Sequence, residues 1–263
     1  MAIHERIPAQ RIQSVLEYIN AEKSVSVHEL VEKFGVSEGT ARRDLDELAN
    51  EGQVVRTHGG AMSLNEETTA EKFYKEKSAV EPEAKRAIGQ MATLFVRERN
   101  TILLDSGTTA YQIALALSKM KNLTIITNDL FLAANIEFDP STTLLVTGGM
   151  KRMNQNVLIG EETEKFFLKL ANVDIAFLTA DAIDIDHGIT NAGVYEVSVK
   201  KAIVKAARKK ILCADSSKLN KVLAFKVCGL EAIDVLLTDD RISETEIKKY
   251  ESRGIKITTA AMN

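Results

Sequence analysis

From Thr101 onward the chain alternates short apolar runs with amphipathic stretches, and this rhythm narrows its fold more than anything else in it. Seven runs stand out: Thr101 to Leu104, Leu123 to Thr127, Thr143 to Val146, Ile175 to Leu178, Ile211 to Ala214, Val235 to Leu237 and Ile255 to Thr258. Helical stretches lie between most of them, for example Ala110 to Lys119 and Val197 to Lys209. Apolar strands alternating with amphipathic helices predict an α/β domain with a mostly parallel sheet and helices on both faces.

Ligands in such folds bind beyond the carboxyl ends of the strands, so the residues after each run are the candidates. The first run leads through Asp105-Ser106-Gly107-Thr108-Thr109 directly into a helix. Gly107 permits a tight turn, the hydroxyls of Ser106, Thr108 and Thr109 supply donors, and helix-start amides favour an anion. A capped strand-to-helix turn has the same composition, and neither the spaced glycines of a dinucleotide fingerprint nor a P-loop lysine is present. Equivalent positions hold Thr127-Asn128, then Thr147-Gly148-Gly149 with Lys151 and Arg152 behind them. Ala180-Asp181 follows the fourth run, and Asp215-Ser216-Ser217-Lys218 the fifth. Lys218 suits an anionic ligand, with an exposed surface lysine as the plain alternative. Glu196 and Lys200 are four residues apart, the spacing of a helix-surface ion pair.

The N-terminal segment has a different texture. Ile12, Val15, Leu16 and Ile19 recur at helical spacing, and Pro8 suits a first turn, which predicts a helix over roughly Ala9 to Asn20. Val25-Ser26-Val27 reads as extended, and a second helix from His28 to Phe34 stops at Gly35 as at a C-terminal cap. Ser37 is a good N-cap for a third helix, on which Ala41, Leu45 and Leu48 share one face while Gly39, Thr40, Arg43 and Asp46 point away from it, with Arg42 on the flank. Helix, short turn and helix make a helix-turn-helix. Gly52 ends the third helix, and Val54 to Arg56 followed by His58-Gly59-Gly60-Ala61 form a small β-wing. A third helix entered N-terminus first into a DNA major groove puts Thr40 and Arg43 near base edges and Ser37 and Arg42 near phosphates.

Charge argues for a selective reader rather than a coat protein. The whole chain has a net charge of -3, and residues 1–61 carry seven Lys or Arg against ten Asp or Glu. Affinity for DNA must then come from where Arg42, Arg43 and Arg56 are placed, not from bulk attraction. Residues 62–81 are polar and charge-rich and read as a linker, with helical character around Glu71 to Lys77. Pro82 opens the next helix, on which Ile88, Met91, Ala92 and Phe95 recur. The expected organisation is a winged helix-turn-helix over 1–61, a linker over 62–81 and an α/β domain over 82–263. The 263 residues contain no apolar run of membrane-spanning length, and MAIHERIPAQR lacks a signal-peptide core, which places the chain in the cytoplasm. Of the two cysteines, Cys213 lies in an apolar run and reads as a buried small hydrophobe. His4, His28, His58 and His187 have no metal-ligand spacing, and no nucleophile elbow occurs, so neither metal, cofactor nor covalent catalysis is expected.

Ser37, Thr40, Arg42-Arg43-Asp44-Leu45, Leu48, Gly52, Arg56 and His58-Gly59-Gly60-Ala61 together resemble the signature of the DeoR family of bacterial transcriptional regulators. Ala41 stands where that pattern usually has a larger aliphatic residue. The resemblance extends over nearly the whole chain and implies an effector domain similar in fold to ribose-5-phosphate isomerase and glucosamine-6-phosphate deaminase. It also implies a phosphorylated sugar as effector, with Ser106, Gly107, Thr108 and Thr109 around the phosphate and Asp181, Glu196, Lys200 and Lys218 along the sugar. Many members read G-A-D-G-I-D where this chain has Thr179-Ala180-Asp181-Ala182-Ile183-Asp184, and the segment Gly188 to Gly193 differs as well. The lost glycines add volume beside the expected pocket, which opens the possibility of a sugar acid or its phosphate.

The expected function is a repressor of a carbohydrate-utilisation operon, controlled by that effector. It would act on double-stranded operator DNA as a homo-oligomer, a dimer or tetramer, whose paired helices read two half-sites. The rival is a sugar-phosphate isomerase-like enzyme with an appended DNA-binding domain, in which Asp105, Asp181, Asp184 or Glu196 would act as general base. A carboxylate that only hydrogen-bonds sugar hydroxyls is the simpler role for each of them.

Overall fold

Three helices and a small antiparallel sheet open the chain: α1 (Pro8–Glu22), β1 (Ser24–Ser26), α2 (Val27–Phe34), α3 (Glu38–Asn50), β2 (Val54–Thr57) and β3 (Gly60–Ser63). The computed structural model describes residues 8–22, 24–51, 53–57, 59–63, 74–152 and 155–262. Gly52, His58 and Glu71 to Phe73, assigned above to a helix end, the wing and a helical linker stretch, lie outside them. Val15, Ile19, Leu30, Ala41, Leu45, Leu48, Val54 and Ala61 form one buried cluster, so the apolar stripe expected on α3 is the one that packs. Ser26 and Glu29 close a capping box on α2, and Gly35 ends that helix at φ 64°. The wing is longer than expected: Met62 and Ser63, assigned above to the linker, pair with β1 and β2.

The remainder runs α4 (Tyr74–Ala79), α5 (Pro82–Ala92), β4 (Thr101–Leu104), α6 (Thr108–Leu117), β5 (Thr124–Thr127), α7 (Leu130–Asn135) and β6 (Thr143–Val146). A two-stranded hairpin, β7 (Met150–Lys151) and β8 (Leu158–Ile159), precedes α8 (Glu161–Leu168) and β9 (Val173–Thr179). Then come β10 (Ala182–Asp184), β11 (Gly188–Asn191), α9 (Val197–Ala206), β12 (Ala207–Cys213) and β13 (Phe225–Cys228). The described chain closes with β14 (Val235–Asp239), α10 (Glu244–Glu251) and β15 (Lys256–Ala260).

All seven apolar runs become strands of one sheet, in the order β15-β14-β12-β9-β4-β5-β6, and every neighbouring pair is parallel. Alternate residues serve opposite faces. Ile102, Leu104, Ile125, Phe177, Ile211 and Leu237 pack under α5 and α6, while Leu103, Ile126, Ala176, Leu178, Leu212 and Leu236 pack under α8, α9 and α10. Coverage on both sides explains why the strands read as continuous apolar runs. The helix expected over Val197 to Lys209 ends early, because Ala207, Lys209 and Lys210 join the ladder opposite Val173, Ile175 and Ala176. The antiparallel sheet β10-β11-β13 was not expected from the sequence.

The chain leaves β4 toward β5 and β6, then returns to place β9 on the other side of β4 before moving outward through β12, β14 and β15. That reversal opens a crevice between the carboxyl ends of β4 and β9, where open α/β sheets take ligands.

One contact holds the helical head together. Arg11 of α1 donates Nε and Nη2 to the two oxygens of Asp44 on α3, at 2.7 and 2.9 Å, and Asp44 is almost wholly buried. Asp44→Ala would strand a partly buried guanidinium, and we expect a loss of about 2–3 kcal/mol. Hydrogen exchange of the α1 and α3 amides in the full chain reads that loss. A change under about 0.5 kcal/mol would assign the pair the weight of a solvated contact.

Candidate functional site

The exposed face of α3 carries the cations. Ser37 caps the helix, its Oγ accepting from the Thr40 amide at 3.2 Å and lying 2.9 Å from Thr40 Oγ1. Arg42 and Arg43 are both exposed; Arg43 Nε donates to the Gly39 carbonyl at 3.0 Å, and Arg42 sits loosely at 3.5 Å from Glu38. Arg56 on β2 is differently placed. Its Nε donates to Asp46 at 2.7 Å and its Nη1 to the Gly60 carbonyl, so it ties the wing to α3. Gly59 is exposed beside the wing turn, while His58 lies outside the described residues.

At the crevice between β4 and β9 the structure forms a cleft of about 650 Å³, solvent included. Ser106, Gly107, Thr108 and Thr109 line it from the β4–α6 loop, Asp181 from the turn after β9, Glu196 and Lys200 from the start of α9, and Lys218 from the turn after β12. Gly107 has φ 107° and ψ 178°, a conformation open to glycine almost alone, and this turn aims the first turn of α6 at the cleft. The amides of Ser106 and Gly107 are already engaged, by Asp105 Oδ1 at 2.8 Å and Asp129 Oδ2 at 2.9 Å. An anion is therefore left with the first-turn amides of α6 and the hydroxyls of Ser106, Thr108 and Thr109.

The floor is a buried ion pair. Asp105 accepts from the Thr179 amide at 2.9 Å and from Lys200, whose ammonium also donates to the Thr179 carbonyl at 3.0 Å. Burial works against the charge on Lys200, but Asp105 and then Glu196 hold its ammonium above the ordinary lysine range. Burial likewise opposes the charge on Asp181, yet Lys77, 2.7 Å away, keeps that carboxyl below the usual range. Two lysines are less well served. Burial pushes Lys85 and Lys218 down, and the Lys218 ammonium makes no hydrogen bond or ion pair among the described residues, although its backbone amide donates to the Asp215 carbonyl at 3.0 Å. Burial also pushes the carboxyls of Asp129 and Glu196 up. Asn191 is 3% exposed and lines the same cleft, and its Oδ1 has no hydrogen-bond partner. The cleft thus combines an unpaired cation, a helix start and an acceptor waiting for a donor, which suits a ligand with an anionic end and hydroxyls.

Several residues chosen from the sequence fall elsewhere. Asp105 lies beneath the cleft, its carboxylate occupied by Lys200, Thr179 and Ser106. Asn128 does not line the cleft; its Nδ2 donates to the Leu158 carbonyl at 2.9 Å. Gly148 and Gly149 serve packing: the Gly148 carbonyl accepts from Thr163, and a Cβ on Gly149, at φ 132°, would overlap Thr163 Oγ1 and the Ile159 carbonyl. Arg152 does not line the cleft; it lies 3.6 Å from Glu196, which does, and stacks on Tyr195. Glu196 and Lys200 are therefore no surface ion pair, since their closest partners are Arg152 and Asp105. Asp184, a candidate base in the enzyme reading, is turned to the His187 ring and the amides of Asp186 and His187. Among the described residues no cluster of His, Cys, Asp and Glu could hold a metal ion, and no helix is long and apolar enough to cross a membrane.

Tyr74, Lys77, Lys85, Asp129, Gln155, Asn156 and Asn191 also line the cleft and were missed. Asp129 had a usable signal, since it follows Asn128 directly at a strand end and caps α7 through the Leu132 amide. Tyr74, Lys77 and Lys85 had none, because they approach from outside the strand-end loops.

Residues 11–67 match the family model described as the DeoR-like helix-turn-helix domain, and residues 80–240 match the DeoR C terminal sensor domain. An uncharacterized HTH-type transcriptional regulator of Haemophilus influenzae is 33% identical over 251 residues, spanning 95% of this chain and 97% of that protein. A putative aga operon transcriptional repressor of Escherichia coli O157:H7 is 28% identical over 250 residues, spanning 95% and 93%. Among solved structures, ribose 5-phosphate isomerase A of Methanocaldococcus jannaschii aligns over 53% of this chain and 55% of its own, with 19% identity and a TM-score of 0.39. A likeness that distant says nothing about activity or ligand.

The unpaired Lys218 gives a pH dependence with a definite sign. A lysine held below its usual 10.5 loses its proton earlier as pH rises, and an anion needs that proton present. Affinity for inorganic sulfate, whose charge is constant, should begin to fall, as pH rises, before the ordinary lysine range is reached, as read by calorimetric titration. In Lys218→Arg the fall should be shallower, since Lys85 in the same cleft keeps its own titration. Equal slopes in both proteins would remove Lys218 from the anion site.

Proposed function

The chain belongs to the DeoR family of transcriptional regulators, and from that premise we propose that it represses a carbohydrate-utilisation operon and releases its operator when a phosphorylated sugar or sugar acid occupies the β4–β9 cleft. The observation that carries this reading is the meeting of Ser106, Thr108 and Thr109, the start of α6, and the unpaired Lys218 in one cleft that also holds the unsatisfied Asn191 Oδ1. The phosphate or carboxylate lies against α6 and Lys218, and the hydroxyls lie toward Asn191, Asp181 and Glu196. In this reading Thr40 and Arg43 reach base edges, Arg42 meets phosphate, and Ser37 acts by capping the reading helix. Two copies of the chain present two α3 helices to half-sites one helical turn or a multiple apart. Turnover is not part of the reading, because Asp105 and Asp181 are paired with Lys200 and Lys77, Glu196 lies 3.6 Å from Arg152, and Asp129 accepts the amides of Gly107 and Leu132.

A duplex selected from a random pool by the full chain supplies the operator for the test. Arg43→Ala should lose roughly tenfold to a hundredfold in affinity for that duplex and little for random sequence. Unchanged gel-shift affinity at physiological salt would sink the assignment of α3. Thr108→Val should bind the duplex as the wild type does but need a higher concentration of sugar phosphate for release. If release is equally sensitive, the β4–α6 loop is only a turn.

A further inference from the structure

Helix α4 is the first described element after the wing strand β3, and it forms one wall of the cleft. A helix of six residues does not persist on its own propensity. None of its residues is buried, so side-chain ties must hold it. Three are present. Lys77 Nζ meets Asp181 Oδ1 at 2.7 Å, across 104 residues of sequence. Lys85 of α5 donates to the carbonyls of Lys77, at 2.7 Å, and Val80, which anchors the C-terminal end of α4. The Tyr74 ring packs 4.5 Å from Phe131 and 6.5 Å from Tyr111 between centroids.

All three ties border the cleft, and the first joins two of its charged lining residues. Asp181 carries acceptors that hydroxyls of a ligand would take, and Lys77 is a cation that a ligand's anionic group would draw away. The buried Asn191 Oδ1, on the same wall as Asp181, already waits for a donor. The Ala192 amide reaches Asp181 Oδ2 only at 3.4 Å, so Lys77 is the main partner to be displaced.

We propose that Tyr74 and Lys77 are ligand-contacting residues, and that Lys77 exchanges Asp181 for the ligand when the cleft fills. The inference rests on the effector reading above and adds its route: occupancy breaks the tie that positions α4, and α4 leads back toward the DNA-binding segment. A ligand shifts that balance only as far as it prefers the arrangement with Lys77 released.

The test uses the full chain with a panel of pentose 5-phosphates and hexose 6-phosphates, with inorganic sulfate as an anion-only control. The chain has no tryptophan, so Phe131→Trp places a single indole against Tyr74. A sugar phosphate that raises the melting temperature should change the emission of this indole with the same midpoint. Lys77→Met should weaken that compound roughly tenfold, the loss of one charge-assisted contact, and Lys77→Arg should restore binding to within about threefold. In Asp181→Asn, which frees Lys77 without removing it, the indole should start near its ligand-bound emission. A compound that binds wild type and Lys77→Met equally, with indole emission unchanged, overturns the role of α4 and leaves the effector reading standing. A panel in which nothing shifts the wild-type melting temperature overturns both.

Discussion

Asp105 and Lys200 are the pair on which the site depends. Both are buried, and an ion pair so placed survives only when its remaining hydrogen-bonding capacity is also filled. Here it is: Asp105 takes the amides of Ser106 and Thr179, and Lys200 takes the Thr179 carbonyl. These bonds cross from β4 to β9 at the point where strand order reverses, and they bring in α9. They therefore fix the width of the crevice. Thr179 has a second part, because its hydroxyl lies 3.0 Å from Asp105 and 2.9 Å from the Ser106 carbonyl. A glycine there would remove the hydroxyl, whose single proton goes to one or the other of these oxygens.

Above this floor the charges are arranged unequally. Asp181 and Lys200 are kept ionised by partners, whereas Lys218 and Lys85 carry their charge against burial, and Asp129 and Glu196 are pushed toward the protonated form. The cleft is thus ready for an anion without being saturated with positive charge. Hydroxyls have acceptors in Asn191, Asp181 and Glu196, so one ligand can satisfy both halves of the imbalance.

How much of this was legible depended on where each side chain comes from. The seven strands were legible because burial on both faces leaves an uninterrupted apolar run, and even edge strand β6, with exposed Leu145 and Val146, keeps that texture. The β4–α6 loop, Asp181 and Lys218 were legible because ligand sites in parallel sheets follow strand ends. Side-chain direction at those ends was not. Asp105 and Asn128 occupy strand ends as Asp181 does, yet turn into the protein to satisfy Lys200 and Leu158. Glu196 and Lys200 have the spacing of a surface pair, and only the inward tilt of α9 reveals other partners. Lys77 belongs to a charge-rich stretch that reads as solvated, and its partner is 104 residues away. No local pattern encodes such a contact. In the N-terminal segment the stripe on α3 was fully readable, whereas the partners of Asp44 and Arg56 lie on α1, on the solvent side of α3 and in the wing.

The bond from Arg56 to Asp46 has a consequence for the ionic response of the protein. Each cation placed on a DNA phosphate releases condensed counterions, and their number sets how steeply binding weakens as salt rises. Arg56 is already paired with a carboxylate of α3, in a segment where acids outnumber bases. Few counterions can then be displaced. If α3 reads an operator as proposed, discrimination against bulk DNA would rest on directional contacts and should change little with salt.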